Sequence, residues 1–259
     1  MSLLPLLDPA LLGRTASAAL EFGQARLSFG DVEARSNRVA HLLQARGLAR
    51  GDRLAFFLQN RVEVIDLWLA AVKLGIVLVP VNVLYREREL KHILADAEPR
   101  AVVTSRDLVA FIPPGVAIWE VETLAADAAK EPSTRPGTVC NADTPLSLIY
   151  TSGTTGASKG AVLTHGNFAA NGAALTRDWH FTSNDRYLAT LPLFHVHGLA
   201  NGVHCWLMSG CLMRLTERFE HQQAPAWFEE FKPTVFFGVP AMFVRLLEIP
   251  EDIARVFGS

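Results

Sequence analysis

Leu148-Ile-Tyr-Thr-Ser-Gly-Thr-Thr-Gly-Ala-Ser-Lys-Gly160 decides how this chain of 259 residues is read. The apolar run at 146–150 predicts a buried strand, and it opens directly into a segment of glycines, hydroxyl side chains and one lysine. Glycine has no Cβ, so its backbone turns tightly and comes close to a ligand. Hydroxyls and free backbone N–H groups donate to phosphate oxygens, and Lys159 adds a mobile positive charge. The composition points to polyphosphate binding; a plain Ser/Thr/Gly surface loop is the alternative. Two standard phosphate loops are excluded. The P-loop needs Gly-Lys-Ser/Thr, whereas Lys159 follows Ser158 and precedes Gly160. The kinase loop needs Gly-x-Gly-x-x-Gly, which is absent.

Outward from that stretch, strands alternate with helices. Upstream, residues 26–29 predict a short strand, and 31–46 an amphipathic helix with Val32, Val39, Leu42 and Leu43 on one side. A buried strand at 53–58 and a helix at 62–74 follow, with Gly75 as the stop. Residues 76–81 predict a strand that Pro80 places at an edge or ends early. A helix at 87–96 and a strand at 101–104 come next. Residues 131–145 hold three prolines and read as an exposed connection. Downstream, 161–163 is a short apolar piece, and Asn167 is expected to cap the helix after it. Residues 187–189 lead into the run 190–198; 199–207 predicts a helix, 211–215 a strand, 224–231 a helix and 234–237 a strand, and Pro240 opens a last helix. This alternation predicts parallel α/β construction, with both faces of the apolar strands covered.

Composition narrows the function classes. Half the residues are apolar, 19% are charged and the net charge is −2, so no basic field points to nucleic acid. Cys140, Cys205 and Cys211 match no zinc spacing and cannot all pair, which suits a reducing compartment. The apolar start lacks Lys or Arg and is broken by Pro5, Asp8 and Pro9, which argues against a signal peptide. No stretch is long enough to span a bilayer. A cytoplasmic protein is expected.

Two further stretches carry chemistry. His195 and His197 would share a face on extended backbone, but no cysteine or carboxylate stands at ligand spacing, so a metal site is not expected. Satisfied core histidines are the plainer alternative. In Phe237-Gly-Val-Pro-Ala-Met-Phe-Val-Arg-Leu-Leu247, the apolar residues suit an alkyl chain or a core equally, and Arg245 is either a surface arginine or an anion contact.

Thr151 to Gly160 resembles the signature phosphate loop of the adenylate-forming (AMP-binding) enzymes: acyl-CoA synthetases, luciferases and peptide-synthetase adenylation domains. Leu191-Pro-Leu-Phe-His-Val-His-Gly198 resembles the second core motif of the acyl-CoA synthetase branch. Residues 237–247 resemble the next shared segment, with Ala241 where the family has threonine. Residues 27–41, 51–54 and 78–82 are similar to its earlier parts.

The resemblance implies a multi-layer α/β fold, truncated: a partial N-terminal domain over 1–259, with a first α/β lobe over about 1–185 carrying the loop 151–160, and the start of a second lobe over 186–259. The family's Tyr-Gly-x-Thr-Glu segment, ribose-binding aspartate, hinge and small C-terminal domain have no counterpart here. The implied function is an ATP-dependent, AMP-forming ligase using ATP, Mg²⁺ and coenzyme A. It would convert a fatty acid or malonate-type acid to an acyl-adenylate and then a thioester. The implied partners are that acid, coenzyme A and the missing C-terminal domain, with no nucleic acid and no transmembrane segment. Oligomeric state is left open. Thr151, Ser152, Gly153, Thr154, Thr155, Gly156 and Lys159 fall to the β- and γ-phosphates; Lys159 is not the family's catalytic lysine. His195 falls beside the substrate carboxylate as the catalytic candidate, and His195, Val239, Met242 and Arg245 fall to the acyl pocket. Arg245 matches the arginine with which malonyl-CoA synthetases hold a distal carboxylate, in a run that fatty-acid relatives share. The expectation is that residues 1–259 alone are inactive or nearly so. Two alternatives stand beside this one: transfer of the acyl group to a carrier protein, and a non-catalytic nucleotide- or acyl-binding module.

Overall fold

The computed structural model describes residues 1–137, 139–151 and 158–258. The first sheet has six strands in the order β6-β5-β3-β4-β7-β8: β3 (Arg53–Phe57), β4 (Val77–Pro80), β5 (Ala101–Thr104), β6 (Ile118–Glu120), β7 (Pro145–Thr151) and β8 (Lys159–Thr164). Its neighbours run parallel except the closing hairpin, β7 with β8. The second sheet has five, ordered β11-β9-β10-β1-β2: β1 (Ala18–Phe22), β2 (Ala25–Ser28), β9 (Arg186–Ala189), β10 (Leu212–Leu215) and β11 (Val235–Phe236). Chain order and sheet membership differ here. β1 and β2, at the start of the chain, share a sheet with strands after residue 185, and Leu20 pairs with Met213.

The layers follow from strand alternation. Leu54 and Phe56 point to the face covered by α2 (Phe29–Ala45) and α3 (Val62–Leu74), while Ala55 and Phe57 point to α4 (Glu87–Ala97), with Leu90, Ile93 and Leu94 against them. Continuous apolar strands are what a sheet covered on both faces requires. α3 is enclosed all round: every residue except Glu63 is buried. Its Trp68 meets Phe168 of α6 (His165–Asp178) edge-on and donates to His204 of α7 (Val203–Ser209) at 3.0 Å, so α3 joins the cores of both sheets. Gly75 stops α3 in the left-handed region (φ 71°), and a Cβ there would meet Arg50 and Cys140 at 3.0–3.1 Å.

Some details depart from the sequence reading. β4 ends at Pro80, but inside the sheet and not at its edge; Val81 N takes the next ladder bond, to Phe56 O at 2.9 Å. Thr164 is the N-cap of α6. Asn167 completes the capping box from the third helical position, accepting from Thr164 N at 2.9 Å. The connection at 131–137 is tied down: Asn37 Nδ2 donates to Ser133 O at 2.8 Å, and Arg135 bridges Glu33 and Asp8 at 2.8 and 2.7 Å. Three helices and four strands were not expected from the sequence: α1 (Leu4–Leu11), α5 (Val121–Ala128), α10 (Glu251–Ala254), β1, β6, β8 and β9. The remaining helices, α8 (Ala224–Phe231) and α9 (Pro240–Leu246), flank β11 in the chain, and α9 opens on Pro240 as its φ allows.

Candidate active site

A cavity of about 620 Å³ opens where the carboxyl ends of strands from both sheets converge. Gln59 and Asn60 come from beyond β3, Val83 and Leu84 from beyond β4, Thr190 and Leu191 from beyond β9, Phe219 from beyond β10, and Val239 and Met242 from beyond β11. Ligands of open α/β sheets bind in the crevice outside such strand ends.

Asn60 organises this crevice. It is buried, its Nδ2 donates to Leu191 O and Thr216 O at 3.0 and 3.1 Å, and its Oδ1 accepts from Leu193 N at 2.7 Å. One side chain thereby fixes the turns after β9 and β10. Sequence reasoning passed over it, because a lone asparagine after a strand looks like any turn residue.

His195 lines the cavity at the end of a turn closed by its own N–H on Pro192 O at 3.1 Å. The backbone then winds into a π-helical turn, His197–Gly202, before α7. Such turns are rare and recur at functional sites. Gly198 is required here, since a Cβ would overlap the Pro192 carbonyl. Desolvation by the cavity walls pushes His195 below the ordinary imidazole value, so it is neutral near pH 7 and has one N–H to donate and one lone pair to accept with. His197 also lines the cavity, with its ring stacked on Phe237 at 6.1 Å.

Of the residues expected at an acyl pocket, the structure brings His195, Val239 and Met242 together around this cavity. It leaves Arg245 outside the lining: the side chain is 62% exposed and bonds Glu248 at 2.9 and 3.2 Å. Of the phosphate-loop residues, Thr151 and Lys159 are opposite partners at the end of the β7–β8 ladder, so both stems of the loop are fixed by the sheet. Ser152, Gly153, Thr154, Thr155 and Gly156 lie outside the described residues. Among the described residues, no group of three or more His, Cys, Asp or Glu is placed to hold a metal ion. No described helix is long and apolar enough to cross a membrane.

A mainly parallel sheet closed by the β7–β8 hairpin, with an apolar crevice lined by His195 and His197 at the strand ends, makes up the candidate site. The chain belongs to the AMP-binding enzyme family, which it matches over residues 11–257. It is 32% identical over 238 residues to the long-chain-fatty-acid–CoA ligase FadD13 of Mycobacterium tuberculosis, covering 87% of this chain and 47% of that one. It superposes on ATP-bound MatB from Rhodopseudomonas palustris with a TM-score of 0.86 at 32% identity, covering 99% of this chain and 54% of that one. On the inhibitor-bound N-terminal domain of FACL13 from M. tuberculosis the TM-score is 0.87 at 26% identity, over 99% and 73% of the two chains. The chain therefore spans about half the length of the curated relatives it matches.

Proposed function

We propose that these residues form the nucleotide- and acyl-binding part of an ATP-dependent acid–CoA ligase that activates a fatty acid or a malonate-type acid. The observation that carries this reading is the largely apolar cavity with His195 at its mouth, at the carboxyl edge of the sheet in which β7, the incoming arm of the Thr151–Lys159 hairpin, runs parallel to β4. In the first half-reaction a carboxylate oxygen bonds to the α-phosphorus of ATP as the bond to the β-phosphate breaks, releasing pyrophosphate. In the second, a coenzyme A thiolate bonds to the acyl carbon and AMP leaves.

Both steps gather negative charge on oxygen, so fixed donors and cations set the rate. Thr151 and Lys159, with the loop between them, are assigned to the β- and γ-phosphates. His195 donates its N–H to the acid's carboxylate and holds it for attack. Phe194, Val239 and Met242 take the chain. Mg²⁺ would neutralise charge on the triphosphate; no described cluster forms a protein cage for it.

The resemblance of residues 237–247 to malonyl-CoA synthetases supports a second arm, a malonate-type acid. Arg245 would then exchange Glu248 for the distal carboxylate, and an exposed pair contributes only about 0–1 kcal/mol, so the exchange costs little. The test is carboxylate-dependent pyrophosphate release from ATP by the full product of the gene, across acetate, malonate, methylmalonate, octanoate and palmitate, with residues 1–259 in parallel. The expected result is turnover by the full product on one class of acid and little by residues 1–259. Preference for octanoate or palmitate removes Arg245 from substrate binding. Release with no thioester on coenzyme A, but transfer to a carrier protein, would correct the acceptor, and silence across the panel would sink the enzyme reading.

A further inference from the structure

The loop stems do not stand alone; α4 grips both of them. His92 Nε2 lies 2.6 Å from Ser158 O, on the outgoing stem. A carbonyl only accepts, so Nε2 carries the hydrogen. One helical turn on, Asp96 accepts from the Tyr150 hydroxyl, on the incoming stem. The spacing of four residues puts both side chains on one face of α4. The Tyr150 ring stands edge-on to His92, with centroids 6.3 Å apart, and lies across its ladder partner Gly160, where a Cβ would come within 3.1 Å of the ring. Burial, and then the bond to Asp96, raise the Tyr150 pKa, which keeps its hydroxyl protonated as the donor. The other face of α4 is anchored in the core through Leu90, Ile93, Leu94 and Ala97, so the grip is attached to something rigid.

We propose that His92 and Asp96 are positioning residues for the triphosphate: they hold the two arms of the β7–β8 hairpin and so set where Thr151 and Lys159 stand. This rests on the reading of that hairpin as the phosphate site. Neither residue touches the nucleotide; each acts through the arm it holds. Loss of one hold leaves the ladder intact but lets the outgoing arm shift, weakening phosphate binding more than folding.

The test uses residues 1–259 with two probes, ATP and inorganic tripolyphosphate, titrated calorimetrically into wild type, His92→Ala, His92→Gln and Tyr150→Phe. Amide exchange across 158–164 and thermal melting are followed on the same samples. Expected are a tenfold weaker Kd for both probes in His92→Ala, faster exchange across 158–164, a melting point within a few degrees of wild type, and recovery in His92→Gln, whose amide still donates to Ser158 O. An unchanged Kd in His92→Ala, no recovery in His92→Gln, or a loss that only follows a lowered melting point overturns the proposal. If wild type binds neither probe, the phosphate reading falls and takes the nucleotide role with it. The exchange data then still decide whether the grip exists.

Discussion

Asn60 shows how much of this site depends on the backbone bonds made by one buried side chain. Replacing it with alanine strands Leu191 O, Leu193 N and Thr216 O in a buried crevice, since all three take their bonds from this one amide. Each stranded group costs about 1–3 kcal/mol where water cannot reach it. Partial relaxation brings the expected loss to about 2–4 kcal/mol, read as a lower urea midpoint at constant slope. A loss under half a kilocalorie would mean the crevice admits water. His195, Val239 and Met242 sit in recognisable runs of the sequence, and all three line the cavity. Asn60 was not legible there, since its worth comes from three backbone groups at positions 191, 193 and 216 that no local pattern connects to it. Arg245 was legible only as a residue type: the sequence reports a guanidinium but not the carboxylate three residues on that occupies it.

Among the elements, those whose burial matches their period were read almost to the residue. α3 was expected at 62–74 and spans Val62–Leu74; β5 was expected at 101–104 and spans Ala101–Thr104. α1 contains Pro9 and has no side-chain cap, and β6 is only three residues with an exposed first position, so neither carries a periodic signal. β4 broke the rule that proline marks an edge because the proline is its last residue, where the next N–H continues the ladder. Helix ends governed by backbone handedness were also legible, and Gly75 tests that reading. Gly75→Ala forces a Cβ into the left-handed region against Arg50 and Cys140, and is expected to cost about 1–2 kcal/mol of stability by thermal or chemical denaturation. A neutral result would show that α3 can end a residue earlier without loss.

For the molecule as a whole, two histidines enclosed in the core weaken the fold in acid. Burial holds His204 down to about 3 and His165 to about 4, with His165 further disfavouring charge on His204 and Arg50 doing so for His165. Unfolded histidine titrates near 6.5, so between about 6.5 and 4 the unfolded chain binds protons that the native one refuses. Stability is therefore lost as pH falls through that window, by up to about 1.4 kcal/mol per pH unit for each histidine. His204→Gln keeps an acceptor for Trp68 and removes one titration. Its slope of stability against pH between 6 and 4.5, from urea unfolding, is expected to be visibly shallower; an unchanged slope would assign the acid loss to other groups.

The pairing of Leu20 with Met213 sets a schedule on the ribosome. All six strands of the first sheet have been made once residue 164 has emerged, but β1 must wait for β10, and Ala19 O for the Trp206 indole that bonds it at 3.0 Å. At synthesis speeds of about 5–20 residues per second, that wait lasts roughly ten to forty seconds. Throughout it Leu7, Leu11 and Leu20, all sealed in the finished core, are without the α7 and β10 surfaces that cover them. Residues 7–20 are thus a stretch that a chaperone would hold until β10 has been made.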